Sequence, residues 1–415
     1  ANVNALDERG ESLLSLACAS EDPHLVRCLL ESHANTNTTH SRDIERSAAK
    51  MVDDDDDDDD DSPLNNTYVS RWDTRSCTRT LLHRVLESAR GKTLLTIVQY
   101  LVLYGEADLY ATDDQGNTPF HIACQVSLAA VEWLFQHYPP QKAIIHSRNH
   151  AGETPLHVSV QCNRIAITKF LVHEAKADVN AGNNEGNTPL HIAVLSRMPG
   201  QVQWLTQEDS VDVNMKNNAG ETPLIAAVRN SREQSSYTGW RDDYDYNMIL
   251  AIIENDEVDV YCRDNDKKTV LHHATKRADL VELFLQSLHM NVKSQDNNGD
   301  TPLHKAAYVQ MVEVVRLLAY DPQNDLNLPN FSGDTPLHVA CRGNDLALVE
   351  FLVQTGKVYT NALNSVGNTP LHEACAKGQQ DIAQCLLDHR NTKRHIPNKD
   401  GDTPCMMACS MASSD

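Results

Sequence analysis

The segment DTPLHVACRGND, residues 334–345, holds side chains that could do chemistry at short, regular spacing. Thr335 is followed three residues later by His338, and His338 three residues later by Cys341. A hydroxyl or thiol beside a histidine is the pairing used in nucleophilic catalysis, and histidine with cysteine is a common ligand set for Zn²⁺. The sequence TPLH recurs, intact or altered, along the whole chain. The spacing of its copies therefore decides between a repeated chemical device and a structural one.

These copies recur with a period close to 34 residues. Most neighbouring copies lie 32–38 residues apart, but 68 residues separate the first two and 47 separate the sixth from the seventh. A period of about 33 residues is typical of helical repeat proteins. The first residues of the eleven copies are Ser12, Thr80, Thr118, Thr154, Thr188, Thr222, Thr269, Thr301, Thr335, Thr369 and Thr403.

Each copy lies between a predicted turn and a predicted pair of helices. Most copies have a glycine two residues earlier and Asn or Asp three residues before that glycine, as in Asn330 and Gly333. An Asx side chain bonds its own turn and glycine accepts positive φ, so the pattern predicts a tight hairpin. Threonine as N-cap and proline at N1 then start a short helix. The apolar spacing in DLALVEFLVQTG predicts a second helix.

In these features the chain resembles the ankyrin repeat family. The resemblance rests on the G-x-TPLH-x-A segments and on ADVNAGNNEGNTPLHIAV at 177–194, and it covers nearly the whole chain except the stretch around 38–76. Five copies depart from the pattern, namely SLLS at 12, TLLH at 80, TPLI at 222, TVLH at 269 and TPCM at 403. The resemblance implies an all-α fold, an ankyrin-repeat solenoid of stacked helix-turn-helix units with β-hairpin fingers.

The histidine of each copy is predicted to be structural. Packed helices lie about 8–10 Å apart, whereas all ligands of one zinc ion lie about 2 Å from it. One histidine per repeat therefore does not assemble a metal site. The resemblance implies that this histidine hydrogen-bonds the threonine of its own copy and a neighbouring loop.

The cysteines are likewise predicted to be structural, since five of them occupy one position of the repeat where other copies have Val or Ala. These five are Cys18, Cys124, Cys341, Cys375 and Cys409. The eleven cysteines form no zinc-type spacing, which favours a reducing compartment, the cytoplasm, with the nucleus as the alternative. An exposed redox-active thiol at Cys77, Cys162 or Cys262 is the alternative to a purely structural role.

Composition and charge exclude several classes of function. The 415 residues are 40% hydrophobic and contain no apolar run near the about 18 residues of a membrane span. The net charge of −22, to which the run Asp53–Asp61 contributes, argues against a nucleic-acid partner. Because no phosphate-binding glycine loop, nucleophile elbow or paired-carboxylate motif is present, we expect no enzyme activity, no cofactor and no metal.

The predicted domain organisation has three parts. Residues 1–37 form a first repeat with the tail of a preceding one, 38–76 an acidic disordered insertion, and 77–415 a continuous array. The 68-residue interval admits a hidden repeat, but 38–76 show no helical apolar period, and the aspartate run lacks the turn glycine of a calcium site. The aromatic-rich insertion at 231–246 is either a helix extension or a binding loop. We expect the chain to be an excerpt of a longer protein.

The predicted function is a non-catalytic scaffold or adaptor that binds partner proteins through a concave groove and the hairpin tips. The alternative is the regulatory array of a larger enzyme or ion channel whose active part lies outside this chain. An acidic segment of another protein is the predicted partner along the cations of the C-terminal half, and scattered solubilising charge is the alternative. The candidate protein-binding residues are Arg229, Lys268, Lys276, Arg277, Tyr308, Arg342 and Lys377, together with Tyr237 and Trp240 of the insertion.

Overall fold

The computed structural model describes most of the repeat array. The described residues are 3–7, 11–36, 79–88, 91–137, 141–232 and 244–412. The predicted acidic insertion at 38–76 lies outside them, and so do Tyr237 and Trp240 of the second insertion.

The first helix of each repeat begins at the threonine of the TPLH sequence. In the repeat at 335, the Thr335 side chain and the His338 side chain form a capping box, and Pro336 occupies N1, where no amide hydrogen is needed. Chain order gives the first helices as α1 (Leu13–Ala19), α3 (Leu81–Ser88), α5 (Pro119–Val126), α8 (Pro155–Gln161), α10 (Pro189–Leu195), α12 (Pro223–Asn230), α14 (Val270–His273), α16 (Pro302–Tyr308), α18 (Pro336–Arg342), α20 (Pro370–Ala376) and α22 (Pro404–Ala412).

The second helices carry longer apolar stripes, as the helical spacing predicts. A short 3₁₀ turn, Ala274–Lys276, continues α14, and a short extra helix, α7 (Gln141–Ile145), follows the second helix of the repeat at 118. The second helices are α2 (Pro23–Glu31), α4 (Lys92–Leu103), α6 (Leu128–His137), α9 (Ile165–His173), α11 (Pro199–Leu205), α13 (Tyr244–Ile253), α15 (Ala278–Gln286), α17 (Val312–Tyr320), α19 (Leu346–Gln354) and α21 (Gln380–Asp388).

The chain divides into two compact units, 1–192 and 193–415, and helices stack in two layers within each. In the first unit, α5 packs between α3 and α8, and α4 between α2 and α6. In the second unit, first helices contact first helices from α12 through α22, and second helices contact one another from α15 through α21. Leucines of the repeated sequence fill the space between layers, as Leu190 and Leu337, each 1% exposed, illustrate. In the part of the chain that the structure describes, no helix is long and apolar enough to cross a bilayer.

The repeats at 12 and 80 stack directly on each other. Helix α1 packs against α3 and α2 against α4. The guanidinium of Arg84 lies 2.6 Å from the carboxylate of Glu11, and the Thr36 hydroxyl donates to the carbonyl of Gly105. Among the described residues, therefore, no further repeat lies between these two in the stack.

The fingers between repeats are Asx turns. In the repeat at 335, the Asn330 side-chain oxygen accepts the N–H groups of Ser332 (3.0 Å) and Asp334 (2.9 Å), and Gly333 has φ +75°. Neighbouring fingers are joined by backbone bonds such as that from Phe331 N–H to the Asn298 carbonyl (3.0 Å). These bonds are isolated, so the fingers are tight hairpin turns without an extended β-strand in the described residues.

Candidate functional site

The repeated histidine is hydrogen-bonded through both ring nitrogens. Nδ1 of His338 accepts the N–H of Thr335 (3.1 Å), and Nε2 lies 3.0 Å from the carbonyl oxygen of Asn368 in the next repeat. A backbone N–H only donates and a carbonyl only accepts, so the ring is neutral with its proton on Nε2. Neither nitrogen is left for a metal or a substrate. The same pair of contacts recurs at His121, His157, His272, His304 and His372.

Burial keeps these histidines neutral. Loss of solvation is the largest cause, and it lowers the pKa of His121, His157 and His272 to about 4, although the carbonyl contact of Nε2 opposes part of the effect. The pKa of His338 is lowered for the same reason. Among the described residues, no group of three or more His, Cys, Asp or Glu side chains is placed to hold a metal ion.

The cysteines differ with their depth in the stack. Burial raises the pKa of Cys18 to about 12 and that of Cys124 well above its ordinary value, so both thiols stay protonated. Burial also raises the pKa of Cys162, and burial together with Asp259 raises that of Cys262 to about 11, which disfavours the redox-active alternative at both. Cys77 lies outside the described residues.

Two of the five cysteines at this position of the repeat are not buried. Cys375 is half-buried and Cys409 is exposed, whereas Cys341 at the same position of its own repeat is buried. Cys409 lies in α22, which contacts α20 but is followed by no further helix in the described residues.

The predicted contact residues near the ends of the first helices form a row along the second unit, because α12, α14, α16 and α18 stack in succession. We call Arg229, Lys276, Tyr308 and Arg342 the Tyr308 row. Tyr308 ends α16 and is 76% exposed, and Lys276 is exposed beside it in the row. The side chains of Arg229 and Arg342 are 50% and 37% exposed.

Arg277 corrects the sequence prediction. Its side chain is 2% exposed, and its guanidinium forms two contacts with the Asp279 carboxylate, at 2.8 and 2.5 Å. The same group donates to the Arg232 carbonyl at 3.0 Å. The short 3₁₀ turn after α14 has fewer residues per turn than an α-helix, so Arg277 faces the interior while Lys276 faces outward. Arg277 is therefore not part of an exposed binding surface.

Two cations of the Tyr308 row, Arg229 and Arg342, are paired with carboxylates of the fingers. Arg229 lies 2.6 Å from Glu221, and Arg342 contacts Asp334 and also Glu373 (3.0 Å). Each finger acid stands directly before the TPLH threonine and eight residues before its arginine. This eight-residue spacing is visible in the sequence and could have predicted the pairing. It recurs with reversed charges at Arg79 and Glu87, 3.1 Å apart.

The other candidate residues are not members of the Tyr308 row. Lys268 belongs to a finger and pairs with Asp266 at 2.7 Å. Lys377 is exposed at a cleft of about 740 Å³ between helix turns, which Leu346 and Gln380 also line. Tyr237 and Trp240 lie outside the described residues, so their predicted role as aromatic anchors stays a prediction.

Sequence reasoning missed a set of asparagines that join neighbouring repeats. The Asn327 side chain donates to the Lys357 carbonyl (2.8 Å) and accepts the Tyr359 N–H (2.6 Å). Asn361 makes the same two bonds to Asn391 and Lys393, both at 2.7 Å. Both asparagines stand eight residues before a TPLH threonine, and this fixed spacing could have revealed them.

Comparison with known families supports the same architecture. No curated protein matches the chain. A family model described as ankyrin repeats, three copies, matches in overlapping segments at 82–183, 129–217, 176–236, 241–330, 322–395 and 337–415. These matches cover most of the sequence and coincide with the stacked helix pairs. The chain belongs to the ankyrin repeat family.

Proposed function

We propose that this protein is a non-catalytic scaffold whose second unit binds a partner protein over the Tyr308 row. Ankyrin repeats are generally protein–protein interaction modules. The observation that carries the proposal is the 76% exposure of Tyr308 in a row whose two arginines are paired with carboxylates. Tyrosine is enriched in binding hot spots because its large ring has little conformational freedom to lose.

The charges around Tyr308 indicate what kind of segment would contact it. Lys305, on the same helix, lies 3.1 Å from Asp296 and 2.7 Å from Asp300, and Arg342 also contacts two carboxylates. Each of these two clusters therefore has more carboxylates than cations. We infer that the segment bound over Tyr308 is apolar or neutral, and the acidic partner predicted from sequence is not assigned to this row.

The non-catalytic part of the proposal is supported by the state of the candidate nucleophiles and bases. The TPLH histidines with both contacts have no free ring nitrogen, and burial raises the pKa of the Cys124 and Cys341 thiols. The ten cysteines of the described residues are all free thiols. We further propose that the protein works in a reducing compartment, the cytoplasm or the nucleus.

Site-specific photo-crosslinking tests this function. A photoreactive phenylalanine analogue replaces Tyr308 in the full chain, and in a matched control it replaces Tyr320, which is 70% exposed on α17 of the same repeat. After irradiation in cells, position 308 is expected to give a discrete protein adduct that position 320 does not give. Tyr308→Ala is then expected to weaken binding of that partner by about tenfold or more without lowering stability.

Two outcomes would contradict the proposal. The first is that no protein adduct forms at position 308, and the second is that both positions give the same adducts. Partner affinity that Tyr308→Ala leaves unchanged would also remove Tyr308 from the binding surface.

A further inference from the structure

The finger segment at residues 389–399, the last that the structure describes, has an unusual charge. Residues 389–399 hold four cations, Arg390, Lys393, Arg394 and Lys399, which we call the basic edge, and no carboxylate, while Asp400 and Asp402 follow in the Asx turn of Asn398. The same eleven-residue segment differs among the earlier fingers: 321–331 holds two aspartates and no cation, 255–265 holds four carboxylates against one arginine, and 140–150 holds two cations and no carboxylate. The basic edge is therefore a local reversal within a chain of net charge −22.

The basic edge is exposed and is not neutralised within the described residues. All four side chains are exposed, and none of their nitrogens lies within 4 Å of a carboxylate oxygen among the residues that the structure describes. The Lys399 ammonium donates to the Ser365 carbonyl, a neutral group. The neighbouring aspartate Asp388 instead accepts from the Gln384 side chain at 2.6 Å. The positive charge of this edge is thus available to another molecule.

The backbone beneath the basic edge is held in place by the preceding finger. The Asn361 side chain accepts the N–H of Lys393 and donates to the carbonyl of Asn391, both at 2.7 Å. At the tip, the N–H of Lys399 donates to the Val366 carbonyl at 3.1 Å. Because these bonds fix the chain on both sides of Arg394, the cations start from an ordered scaffold, which lowers the entropy lost on binding.

Apolar side chains lie on the adjoining finger. Tyr359 is 68% exposed and Leu363 is 55% exposed. Tyr359 occupies the position that Lys393 occupies one repeat later, where earlier repeats such as those at Asp259 and Asp325 have an aspartate that bonds its own turn. The surface therefore combines four unpaired cations with an exposed aromatic ring and an aliphatic side chain, the mixture typical of protein interfaces.

We propose that the basic edge binds an acidic segment of a partner protein, with an apolar side chain of that segment packing on Tyr359 and Leu363. A narrow peptide can lie along this strip alone. A membrane surface or a nucleic-acid duplex is broader, so it would also face the exposed aspartates that flank the strip in the chain, Asp388 and Asp400, whose repulsion acts within the Debye length of about 8–10 Å. The basic edge shares no residue with the Tyr308 row, so this proposal and the proposed function can fail separately.

Fluorescence anisotropy with the full chain tests the proposal. The probe is a fluorescein-labelled oligoglutamate peptide with a central leucine pair. We expect binding that weakens as salt is raised, and a loss of about tenfold in affinity for Lys393→Glu/Arg394→Glu. The control is Lys267→Glu/Lys293→Glu, which changes the net charge equally at two exposed lysines of earlier fingers and is expected to change affinity less than about twofold.

A neutral variant separates binding from folding. Lys393→Gln/Arg394→Gln is expected to weaken binding in the same direction by a smaller factor, and it serves if the glutamate variant does not fold. Tyr359→Ala is expected to weaken binding of the leucine-containing probe more than binding of an all-glutamate probe.

Competing ligands decide the class of partner. Vesicles containing phosphatidylserine and a single-stranded oligodeoxythymidylate are measured against the same chain. Tighter binding of either than of the peptide would overturn the proposal in favour of a lipid or nucleic-acid partner. Absence of peptide binding to the wild-type chain would overturn it, and so would an equal loss in the control variant.

Discussion

Arg342 and Arg394 lie in the same unit and are both exposed, but they differ in their electrostatic surroundings. Arg342 contacts Asp334 and Glu373, whereas Arg394 lies in a segment that contains no carboxylate. The positive potential of a surface therefore depends on whether its cations are paired with carboxylates, and not on the number of cations alone. The Tyr308 row contains cations that sequence reasoning selected, and the basic edge contains none of them. We nevertheless propose the basic edge as the better site for an acidic ligand.

The largest difference between paired and unpaired cations is expected at Arg277. Arg277→Ala removes the partner of the buried Asp279 carboxylate, which is 1% exposed, so we expect the free energy of unfolding to fall by about 4 kcal/mol. Arg394→Ala, the matched control, is expected to change it by less than about 0.5 kcal/mol. Urea denaturation measures both. An equally small effect of the two substitutions would show that the Arg277–Asp279 pair does not stabilise the fold.

Leucines of the interior and of the fingers provide a second contrast. Leu337→Ala is expected to cost about 3 kcal/mol because Leu337 is 1% exposed, while Leu363→Ala at 55% exposure should cost less than about 0.5 kcal/mol. Hydrogen exchange is expected to show that α16 and α20, which pack against α18, lose protection first. Unchanged protection in those two helices would contradict nearest-neighbour coupling.

Acidification is expected to lower the free energy of unfolding through the buried histidines of the repeats. The pKa of His121, His157 and His272 is lowered from 6.5 to about 4, so the unfolded chain binds more protons than the folded chain between these two values. Their stabilising contribution is complete above pH 6.5 and is lost as the pH falls toward 4. Lowering the pH from about 7 to about 6 should reduce the free energy of unfolding by about 2 kcal/mol for the three together. A stability that rises over this interval, measured by urea denaturation, would contradict the hydrogen-bond assignment.

The smallest expected effect concerns the partly exposed pair. Arg342→Gln should lower the free energy of unfolding by about 1 kcal/mol, since solvent screens a side chain that is 37% exposed. Arg394→Gln should leave stability unchanged. If the two variants are equally stable, the contacts of Arg342 with Asp334 and Glu373 add nothing measurable.

The period of the TPLH sequence was sufficient to predict the helix pairs and the structural role of the histidines. Thr335 and His338 lie within one short segment, and the resemblance to the family implied their contact. The spacing of Asn330 and Gly333 predicted the turn that they form. Local patterns with fixed spacing thus predicted most of the fold.

Features that depend on helix phase or on two separate elements were not predicted. Arg277 follows a 3₁₀ turn instead of a continued α-helix, which changes the direction of its side chain. Lys267 occupies the place where most repeats have glycine, with φ +59°, so the glycine pattern missed that finger and its Asx residue, Asp264. The pairing of Glu221 with Arg229 joins a finger to the end of the following helix, and only a comparison across repeats reveals its eight-residue spacing.

The bond from each histidine to the next repeat gives the array a direction. His372 donates from Nε2 to the carbonyl of Asp402 (3.1 Å), and no equivalent donor points backward from that histidine. A truncation that removes residues after 388 would leave this N–H donor without its protein acceptor, whereas a truncation from the opposite side would leave a carbonyl without its protein donor. Shortened versions of this array should therefore present histidine donors at a trailing cut and backbone acceptors at a leading cut.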